Sequence, residues 1–359
     1  MTVYVSTLID WLNEADIAVT VSGQTDGAID ALTFNSRAVA AGCLFAALPG
    51  SRVDGHDFID QALSANASAL LVQHPPTAPH SAPTLIVANS AQALAVLAAR
   101  FFGPLPRRLQ AVTGTNGKTS VAHFVRLLHG DDSAVSVGTL GMLPEGLFDM
   151  PYLTSPDQIA LAQGLASAAA TGRHTAIVEA SSHGLDQGRL DGLLFDAAAF
   201  TNLSRDHLDY HPTMEDYWHA KRRLFTERLK PHGLVVIDER APQTQELADL
   251  GLNLFRLGGL ENANADLAYS AQPTPSGLGF TFRLDGQTHT LDLPLFGTFQ
   301  AENIAVALGL AHVGGVEDLA LKLSSLPAEA LGVPGRMMPV VRHPATPQGG
   351  GRVGNAHTQ

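Results

Sequence analysis

Cysteine and positive charge are scarce in this sequence of 359 residues. The one cysteine, Cys43, excludes a disulfide framework within the chain, and we expect it to be a buried, small apolar side chain in a reducing compartment. Lysine and arginine total 22 against 34 acidic residues, which gives a formal net charge of -12. Because no basic stripe is present, we expect no nucleic-acid partner, although a few placed cations would suffice to bind an anionic substrate.

Long apolar runs are also lacking. None reaches the roughly 18 residues that a membrane helix needs. The first 16 residues carry acids and no basic segment, so they are not typical of a signal peptide. We therefore expect a cytoplasmic, monomeric protein without a membrane span, and its length allows two or three domains.

The sequence divides into segments of different pattern. Residues 1–108 alternate short β-rich runs (31–34, 43–48, 69–73 and 84–88) with helical patterns near 57–66 and 90–102, which predicts a small N-terminal α/β domain. Residues 103–108 are rich in proline and arginine and mark its boundary.

Residues 109–334 show strand–helix alternation on a larger scale, which predicts an α/β domain with a central parallel sheet. We expect buried strands at 109–113, 175–180, 197–202 and 234–238, antiparallel strands within 266–293, and a helix at 303–313. Residues 335–359 form a third segment. Its part from 343 onward is rich in glycine, proline and polar residues and cannot bury a core of its own.

A glycine-rich loop joins the first of these strands to a helical pattern. Such a loop directs backbone N–H groups and the positive end of a helix at an anion, which predicts a site for the phosphates of ATP. Lys118 would reach the outer phosphates and the Thr119 hydroxyl would contact Mg²⁺. The loop residues are Gly114, Thr115, Asn116, Gly117, Lys118, Thr119 and Ser120.

Polar residues follow the later strands of the same domain. Glu179 ends a buried strand, where open α/β sheets bind ligands, and its carboxylate is a candidate Mg²⁺ ligand. His207 follows the next strand and is a second candidate ligand, whereas His211 and His219 are expected at the surface. Lys221 falls within a helical pattern, where most lysines are solvated. The residues after Glu179 that are able to contact an anionic, hydroxyl-rich ligand are Ser181, Ser182, His183, Gln187 and Arg189.

Three strings resemble the Mur ligases, which build the peptide of peptidoglycan. They are V-T-G-T-N-G-K-T at 112–119, S-S-H-G-L-D-Q-G-R at 181–189 and T-N-L-S-R-D-H-L-D-Y-H at 201–211. The last two are closest to the ligases that add a diamino acid, meso-diaminopimelate or L-lysine, to UDP-N-acetylmuramoyl-L-alanyl-D-glutamate. Folylpolyglutamate synthases share G-T-N-G-K and are the alternative family, although glycine usually follows there in place of Thr119.

The resemblance implies an ATP- and Mg²⁺-dependent ligase that works through an acyl phosphate. It implies catalytic roles for Lys118, Lys221 and His207. One metal ion would be held by Thr119 and Glu179, and another by His207 and Lys221, the latter carbamylated by CO₂. Asn303, in G-T-F-Q-A-E-N, matches the residue that meets adenine, with Gln300 in place of an earlier Asn, and Arg336 joins the implied ATP-binding set.

The resemblance also implies which residues bind the UDP-linked dipeptide. Two departures occur among these motifs: Asn35 replaces an Asp and Ser155 replaces a Thr. The implied substrate-binding residues are Phe34, Ser36, Arg37, Ser51, Arg52, Val53, Leu153, Thr154, Ser155, Ser181, Gln187 and Arg189.

The resemblance ends near residue 338. The family's third, Rossmann-like domain, which binds the incoming amino acid, is therefore expected to be absent, with residues 335–359 as a hinge and remnant. Two hypotheses follow for this chain: a ligase, or a protein that binds ATP and the UDP-linked dipeptide without completing ligation.

Overall fold

The computed structural model describes residues 2–50 and 53–335, and within them the strands form two large sheets and one two-stranded pair. The first large sheet lies within residues 19–87 and the second within residues 108–293. An α/β fold with a small N-terminal sheet and a central, mostly parallel sheet is therefore confirmed.

Within the described residues, the N-terminal part has seven short strands, three α-helices and two short 3₁₀ turns (Ser36–Ala38 and Gly55–Phe58). The four β-rich runs expected here are strands, and Cys43 is buried as predicted. The elements are β1 (Val3–Tyr4), α1 (Val5–Glu14), β2 (Val19–Ser22), β3 (Ala28–Ile29), β4 (Ala31–Thr33), β5 (Cys43–Ala46), α2 (Ile59–Ser64), β6 (Ala69–Val72), β7 (Thr84–Val87) and α3 (Ser90–Phe101).

The five-stranded sheet has the order β2-β7-β6-β5-β4, in which β4 to β7 are parallel and β2 is antiparallel to β7. β5 and β6 are buried at every position, as expected for parallel strands covered on both faces. Since β4 and β5 run parallel, the loops after both strands leave the same edge of this sheet.

The central part is larger. The expected strands and antiparallel extension are confirmed, and the last long helix begins four residues before the expected start. The elements are β8 (Arg108–Thr113), α4 (Lys118–His129), β9 (Ala134–Gly138), β10 (Gly141–Leu143), α5 (Gln158–Ala170), β11 (Thr175–Glu179), α6 (Ser182–Asp186), β12 (Phe195–Phe200), α7 (Met214–Thr226), β13 (Leu229–Asp238), α8 (Gln243–Asp249), β14 (Asn253–Gly259), β15 (Leu267–Thr274), β16 (Gly277–Leu284), β17 (Gln287–Leu293), α9 (Phe299–Val313), α10 (Leu319–Ser325) and α11 (Ala328–Leu331).

The ten-stranded sheet has the order β10-β9-β11-β8-β12-β13-β14-β15-β16-β17. β8 lies between β11 and β12, both parallel to it, so the loops after these three strands meet at one edge. Helices α4 and α9 bury their apolar residues on one face, and α5 and α7 do so on the other. This layering places the glycine-rich loop beside the segments that follow β11 and β12.

Helix α3 connects the two parts of the chain by packing against α5 of the central part. Ala162 of α5 joins the apolar cluster that contains Leu94 and Leu97 of α3. The Gln158 side-chain amide donates to the Ala91 carbonyl at 3.3 Å. Within the described ranges, no helix is long and apolar enough to cross a membrane.

His129, at the end of α4, makes the fold sensitive to acid. Its buried Nε2 has no hydrogen-bond partner among the described residues, and burial beside Arg108 lowers the pKa of His129 to about 4. Because the unfolded chain binds this proton below about pH 6.5 and the folded chain does not, stability falls between about pH 6.5 and 4, by up to about 3 kcal/mol.

We therefore expect His129→Gln to lose less unfolding free energy than the parent chain on going from pH 7.5 to pH 4.5. Urea titrations of both proteins at several pH values measure the difference. Carboxylates elsewhere titrate equally in both proteins, so parallel pH profiles would contradict the assignment to His129.

Candidate active site

The glycine-rich loop runs from the end of β8 at Thr113 to the start of α4 at Lys118. Gly114 and Gly117 have φ angles of +148° and +88°, which L side chains rarely adopt. A side chain at Gly114 would meet the Thr201 hydroxyl, and one at Gly117 would meet the Asn303 carboxamide. Both glycines are thus required by the close approach of neighbouring chain segments as well as by their backbone conformation.

The segment after β12 holds this loop in place. Asn202 accepts the Thr115 N–H at its backbone carbonyl (2.8 Å) and the Asn116 N–H at its side-chain oxygen (3.0 Å). The Thr201 hydroxyl donates to the Asn116 carbonyl at 2.6 Å. The shape of the loop is therefore fixed by contacts across the sheet edge and not only by its own glycines.

Lys118 lies at the first turn of α4 and folds back over the loop. Its Nζ donates to the carbonyls of Gly114 and Thr115, at 2.9 Å each. The ammonium group and the positive end of α4 are thus on the loop side of the helix, which is the arrangement that favours phosphate binding.

Glu179, at the end of β11, lies beneath the loop and is only 2% exposed. Its carboxylate accepts hydrogen bonds from the Thr119 hydroxyl (2.9 Å), the Thr139 N–H (3.0 Å) and the Thr139 hydroxyl (3.2 Å). Burial raises the pKa of Glu179 in spite of these bonds and the nearby Lys118. A side chain at Gly138 would overlap the carboxylate, so the small residue there makes room for it.

Lys221 is buried rather than solvated, and it lies on α7 with 1% of its surface exposed. Its Nζ donates to the Gly114 carbonyl at 2.8 Å, the same oxygen that accepts from Lys118. The nitrogen also lies 4.3 Å from the centre of the Tyr217 ring. Burial, and to a lesser extent Lys118, lowers the pKa of Lys221 to about 6, so its amine is mostly neutral at neutral pH.

His207 lies on the loop after β12 with a left-handed backbone (φ +54°) and a side chain 41% exposed. Its ring lies 5.8 Å from the Tyr217 ring, which is also the ring beneath Lys221. His207 and Lys221 therefore both contact the same aromatic side chain. In the part of the chain that the structure describes, no three His, Cys, Asp or Glu side chains are grouped so as to hold a metal ion.

The expectation that His211 lies at the surface is wrong. His211 is 4% exposed, because it follows a short turn that packs it against Tyr217 and His183, at ring distances of 5.3 and 5.6 Å. His219, by contrast, has a side chain 52% exposed, as expected.

Several predicted substrate residues form one polar network beside Glu179. The Ser155 hydroxyl donates to the Glu179 carbonyl (2.9 Å) and accepts from the Ser181 N–H (2.9 Å). Arg189 donates to the Ser155 carbonyl (2.7 Å) and, at 2.6 Å, to the side-chain oxygen of Gln187. The structure thus brings together Ser155, Ser181, Gln187 and Arg189.

Two more predicted substrate residues lie next to this network. The Thr154 hydroxyl lies 3.1 Å from that of Thr139, which connects it to Glu179. Leu153 is 49% exposed, so its side chain is available for contact.

The predicted uridine-side residues follow β4 and β5 of the N-terminal sheet. Phe34 is 40% exposed and Val53 56% exposed. Asn35, which replaces an Asp, caps the short helical turn by accepting the Arg37 N–H at 3.1 Å, and the Ser36 hydroxyl donates to Gln61 at 3.0 Å. Three predicted residues lie outside the described part of the chain: Ser51, Arg52 and Arg336.

A cavity of about 250 Å³ opens beside the loop, at the ends of β12 and β13. Asn303 lines it and donates to Gln300 at 3.0 Å. Arg240 lines it too. Its Nε and one terminal nitrogen donate to the two carboxylate oxygens of Asp238, at 2.8 and 2.6 Å. The same terminal nitrogen also donates to the Tyr269 hydroxyl at 2.6 Å. The guanidinium is thus held in a fixed plane at the cavity wall.

Three site residues were not predicted from the sequence, namely Thr139, Tyr217 and Arg240. Thr139 follows β9, so the rule that strand ends carry the site would have selected it. Tyr217 lies one turn before Lys221 on α7, and that spacing was the available signal. For Arg240, the signal was its place just after the predicted strand that ends at Asp238.

The chain matches two protein-family models. The model of the Mur ligase middle domain matches residues 112–311, and that of the Mur ligase family catalytic domain matches residues 28–102. The first match alone covers more than half of the 359 residues and includes the loop, Glu179, His207 and Lys221.

Curated relatives and solved structures agree with this match. The UDP-N-acetylmuramoyl-L-alanyl-D-glutamate–2,6-diaminopimelate ligase of Caulobacter vibrioides is 41% identical over 334 residues, covering 89% of this chain and 68% of that protein. The ligase of the same name from Zymomonas mobilis is 42% identical, covering 78% and 58%. A solved structure of a ligase of that name has a TM-score of 0.79 and 27% identity, covering 94% and 69%. The chain thus spans between 58% and 69% of the length of these proteins.

Proposed function

We propose the function of this chain from one premise: it belongs to the Mur ligase family. We infer that its residues form the nucleotide and dipeptide sites of an ATP-dependent ligase that joins 2,6-diaminopimelate to UDP-N-acetylmuramoyl-L-alanyl-D-glutamate, the reaction that its relatives' names describe. The observation that carries this proposal is the convergence of Lys118, Thr119, Glu179 and Lys221 on the glycine-rich loop, which we call the phosphate loop in this proposal.

The chemistry starts from the D-glutamyl carboxylate, which is a poor electrophile. A carboxylate oxygen attacks the γ-phosphorus of ATP, so that a carboxyl O–P bond forms while the bond to ADP breaks. The amine then attacks the carbonyl carbon of this acyl phosphate, loses a proton, and phosphate leaves with the C–O bonding pair. Because two anions must meet in the first step, the protein's task is positioning and charge neutralisation.

The residues beneath the loop fit Mg²⁺, which prefers oxygen ligands and uses one or two carboxylates together with substrate phosphates. Glu179 and the Thr119 hydroxyl are oxygen donors 2.9 Å apart, at the start of the helix that faces the phosphates. Mg²⁺ held there would offset the charge of the phosphates. Lys118 provides a second positive charge above the same loop and would follow the γ-phosphoryl group during transfer.

Lys221 is suited to carbamylation by its position. A lysine reacts with CO₂ through its neutral amine, forming an N–C bond and releasing a proton, and burial keeps the Lys221 amine mostly neutral. The resulting carbamate would carry negative charge next to Lys118 and would turn a repulsive lysine pair into an attractive one. Together with His207, whose ring also contacts Tyr217, it would hold a second metal ion.

The network of Ser155, Ser181, Gln187 and Arg189 is proposed to bind the muramoyl-dipeptide. Its hydroxyl, amide and guanidinium groups suit hydroxyls and carboxylates of such a ligand, and Ser155 connects it to the Glu179 backbone. Phe34, Ser36, Arg37 and Val53 are proposed to hold the uridine side on the N-terminal sheet. The division into domains at residues 108 and 334, the cytoplasmic location and the monomeric state stay predictions.

The cavity beside the loop is proposed to take the adenine ring, with Asn303 at its edge and the Arg240 plane at its wall. Because a guanidinium against an aromatic face contributes about 1 kcal/mol, Arg240→Ala should weaken ATP binding roughly fivefold. Calorimetry with ATP and with inorganic triphosphate measures this, since triphosphate has no base. Equal weakening for both ligands would show that Arg240 acts on the phosphates instead.

A ligation assay tests the proposed function. Purified chain is incubated with ATP, Mg²⁺, UDP-N-acetylmuramoyl-L-alanyl-D-glutamate and either meso-diaminopimelate or L-lysine, and phosphate release is followed. Release that requires both the dipeptide and meso-diaminopimelate is the expected result. Binding of ATP and the dipeptide without release would leave the chain as a binding protein. Binding of a folate but of no uridine nucleotide would contradict the proposed substrate class.

A further inference from the structure

Tyr217 is buried at the centre of the site, and none of the roles proposed above uses it. It lies on α7 one turn before Lys221, with no exposed surface. A buried hydroxyl needs a hydrogen-bond partner, and here that partner belongs to the phosphate loop.

The hydroxyl of Tyr217 reaches Thr115 in the middle of the loop. The two oxygens lie 3.2 Å apart, and the Thr115 hydroxyl also exchanges hydrogen bonds with the backbone of Ser204 (3.0 and 3.2 Å). Thr115 thereby connects the loop to α7 and to the segment after β12. Since Thr115 is itself only 7% exposed, loss of this contact would leave its hydroxyl held by the Ser204 backbone alone and the loop disconnected from α7.

The ring of Tyr217 meets two proposed metal-binding side chains. The Lys221 Nζ lies 4.3 Å from the ring centre, and the His207 ring lies 5.8 Å away at an interplanar angle of 72°. The His211 ring packs at 5.3 Å. The ring therefore limits where the Lys221 chain can go and keeps its nitrogen at the Gly114 carbonyl.

We propose that Tyr217 is a positioning residue with two separable actions: its hydroxyl orders the phosphate loop for ATP, and its ring fixes Lys221 relative to that loop. The inference rests on the proposed function, because it assigns Tyr217 to the same ATP site. It predicts that removal of the hydroxyl and removal of the ring have different consequences.

Two variants separate these actions. Tyr217→Phe keeps the ring and loses the contact to Thr115, and we expect ATP to bind about three- to tenfold more weakly, as for the loss of one hydrogen bond. We expect the ¹³C signal of a Lys221 carbamate under ¹³CO₂ to stay as in the parent chain, because the ring remains in contact with Lys221. Tyr217→Leu also loses the ring, and we expect a further loss of at least about tenfold in kcat together with a weaker carbamate signal.

Phe225→Leu is the matched control, because it removes another buried aromatic ring from the same helix, at a position that packs on Trp218 in the apolar core. It should reproduce any general destabilisation but neither the ATP effect nor the carbamate effect. Unchanged ATP affinity in Tyr217→Phe would overturn the role of the hydroxyl. A kcat and a carbamate signal in Tyr217→Leu equal to those of Tyr217→Phe would overturn the role of the ring. Failure of the parent chain to bind ATP would instead count against the proposed function.

Discussion

Lys118→Ala should reduce ATP affinity by roughly 100-fold or more, while uridine-nucleotide affinity stays unchanged. Lys118 lies at the first turn of α4 with its ammonium over the loop, at the Gly114 and Thr115 carbonyls. In the proposed complex it would make charge-assisted hydrogen bonds to the phosphates. Each such bond contributes about 1.5–3 kcal/mol, and the loss of a buried counter-charge adds to it. The uridine side is expected on the N-terminal sheet, so it should not respond.

Calorimetry with ATP and with UDP on the same preparation measures both affinities. Lys322→Ala is the control, since it removes an equal charge from an exposed position on α10. An ATP affinity within about twofold of the parent value would mean that α4 does not form the phosphate site. A parallel loss of UDP binding would instead indicate global damage, which thermal unfolding of the two variants would detect.

The structure of the glycine-rich loop could be predicted because its causes are local. A strand, two glycines at positive φ and a helix beginning at Lys118 are adjacent in the sequence, and each leaves a compositional signal. The same holds for Glu179, whose place at the end of a buried run follows from strand periodicity. The loop and Glu179 then come together because β8 lies between β11 and β12 in the sheet.

The environment of Lys221 was not predictable from residue pattern alone. A lysine within a helix is normally solvated, and its burial here depends on the loop after β8 lying against α7, residues more than 100 positions apart. The resemblance implies its place in the site, and in the structure its Nζ contacts a backbone carbonyl and an aromatic ring.

The positions of His211 and Arg240 also depend on contacts between segments that are distant in the sequence. The sequence pattern predicts His211 at the surface, whereas a turn after β12 packs it against Tyr217 of α7. Arg240 left no periodic signal, and its fixed plane arises from Asp238 on β13 and Tyr269 on β15, which become neighbours only through the sheet. Long-range pairing decides such side chains, and single-sequence patterns do not encode it.

Lys221→Ala is expected to lower dipeptide-dependent ADP formation at least about 100-fold, with ATP affinity changed by less than about threefold. The reason for the first effect is the loss of the proposed carbamate, which removes a metal ligand and the negative charge that balances Lys118. The second follows because Lys118, Thr119 and the loop glycines remain. The variant also leaves the Gly114 carbonyl with Lys118 as a donor, so the loop should keep its shape.

Dependence on CO₂ separates a carbamate from a simple lysine contact. Parent chain freed of CO₂ should lose ADP formation and recover it when bicarbonate is added, whereas Lys221→Ala should not respond to bicarbonate.

Under ¹³CO₂ the parent chain should show a carbamate ¹³C signal that is missing from Lys221→Ala. The signal should be retained in Lys230→Ala, a control that removes a partly exposed lysine paired with Asp196. A parent chain indifferent to CO₂ would refute the carbamate, because a neutral lysine that hydrogen-bonds Gly114 needs no CO₂ to do so. ADP formation by Lys221→Ala at the parent rate would refute any catalytic role for this side chain.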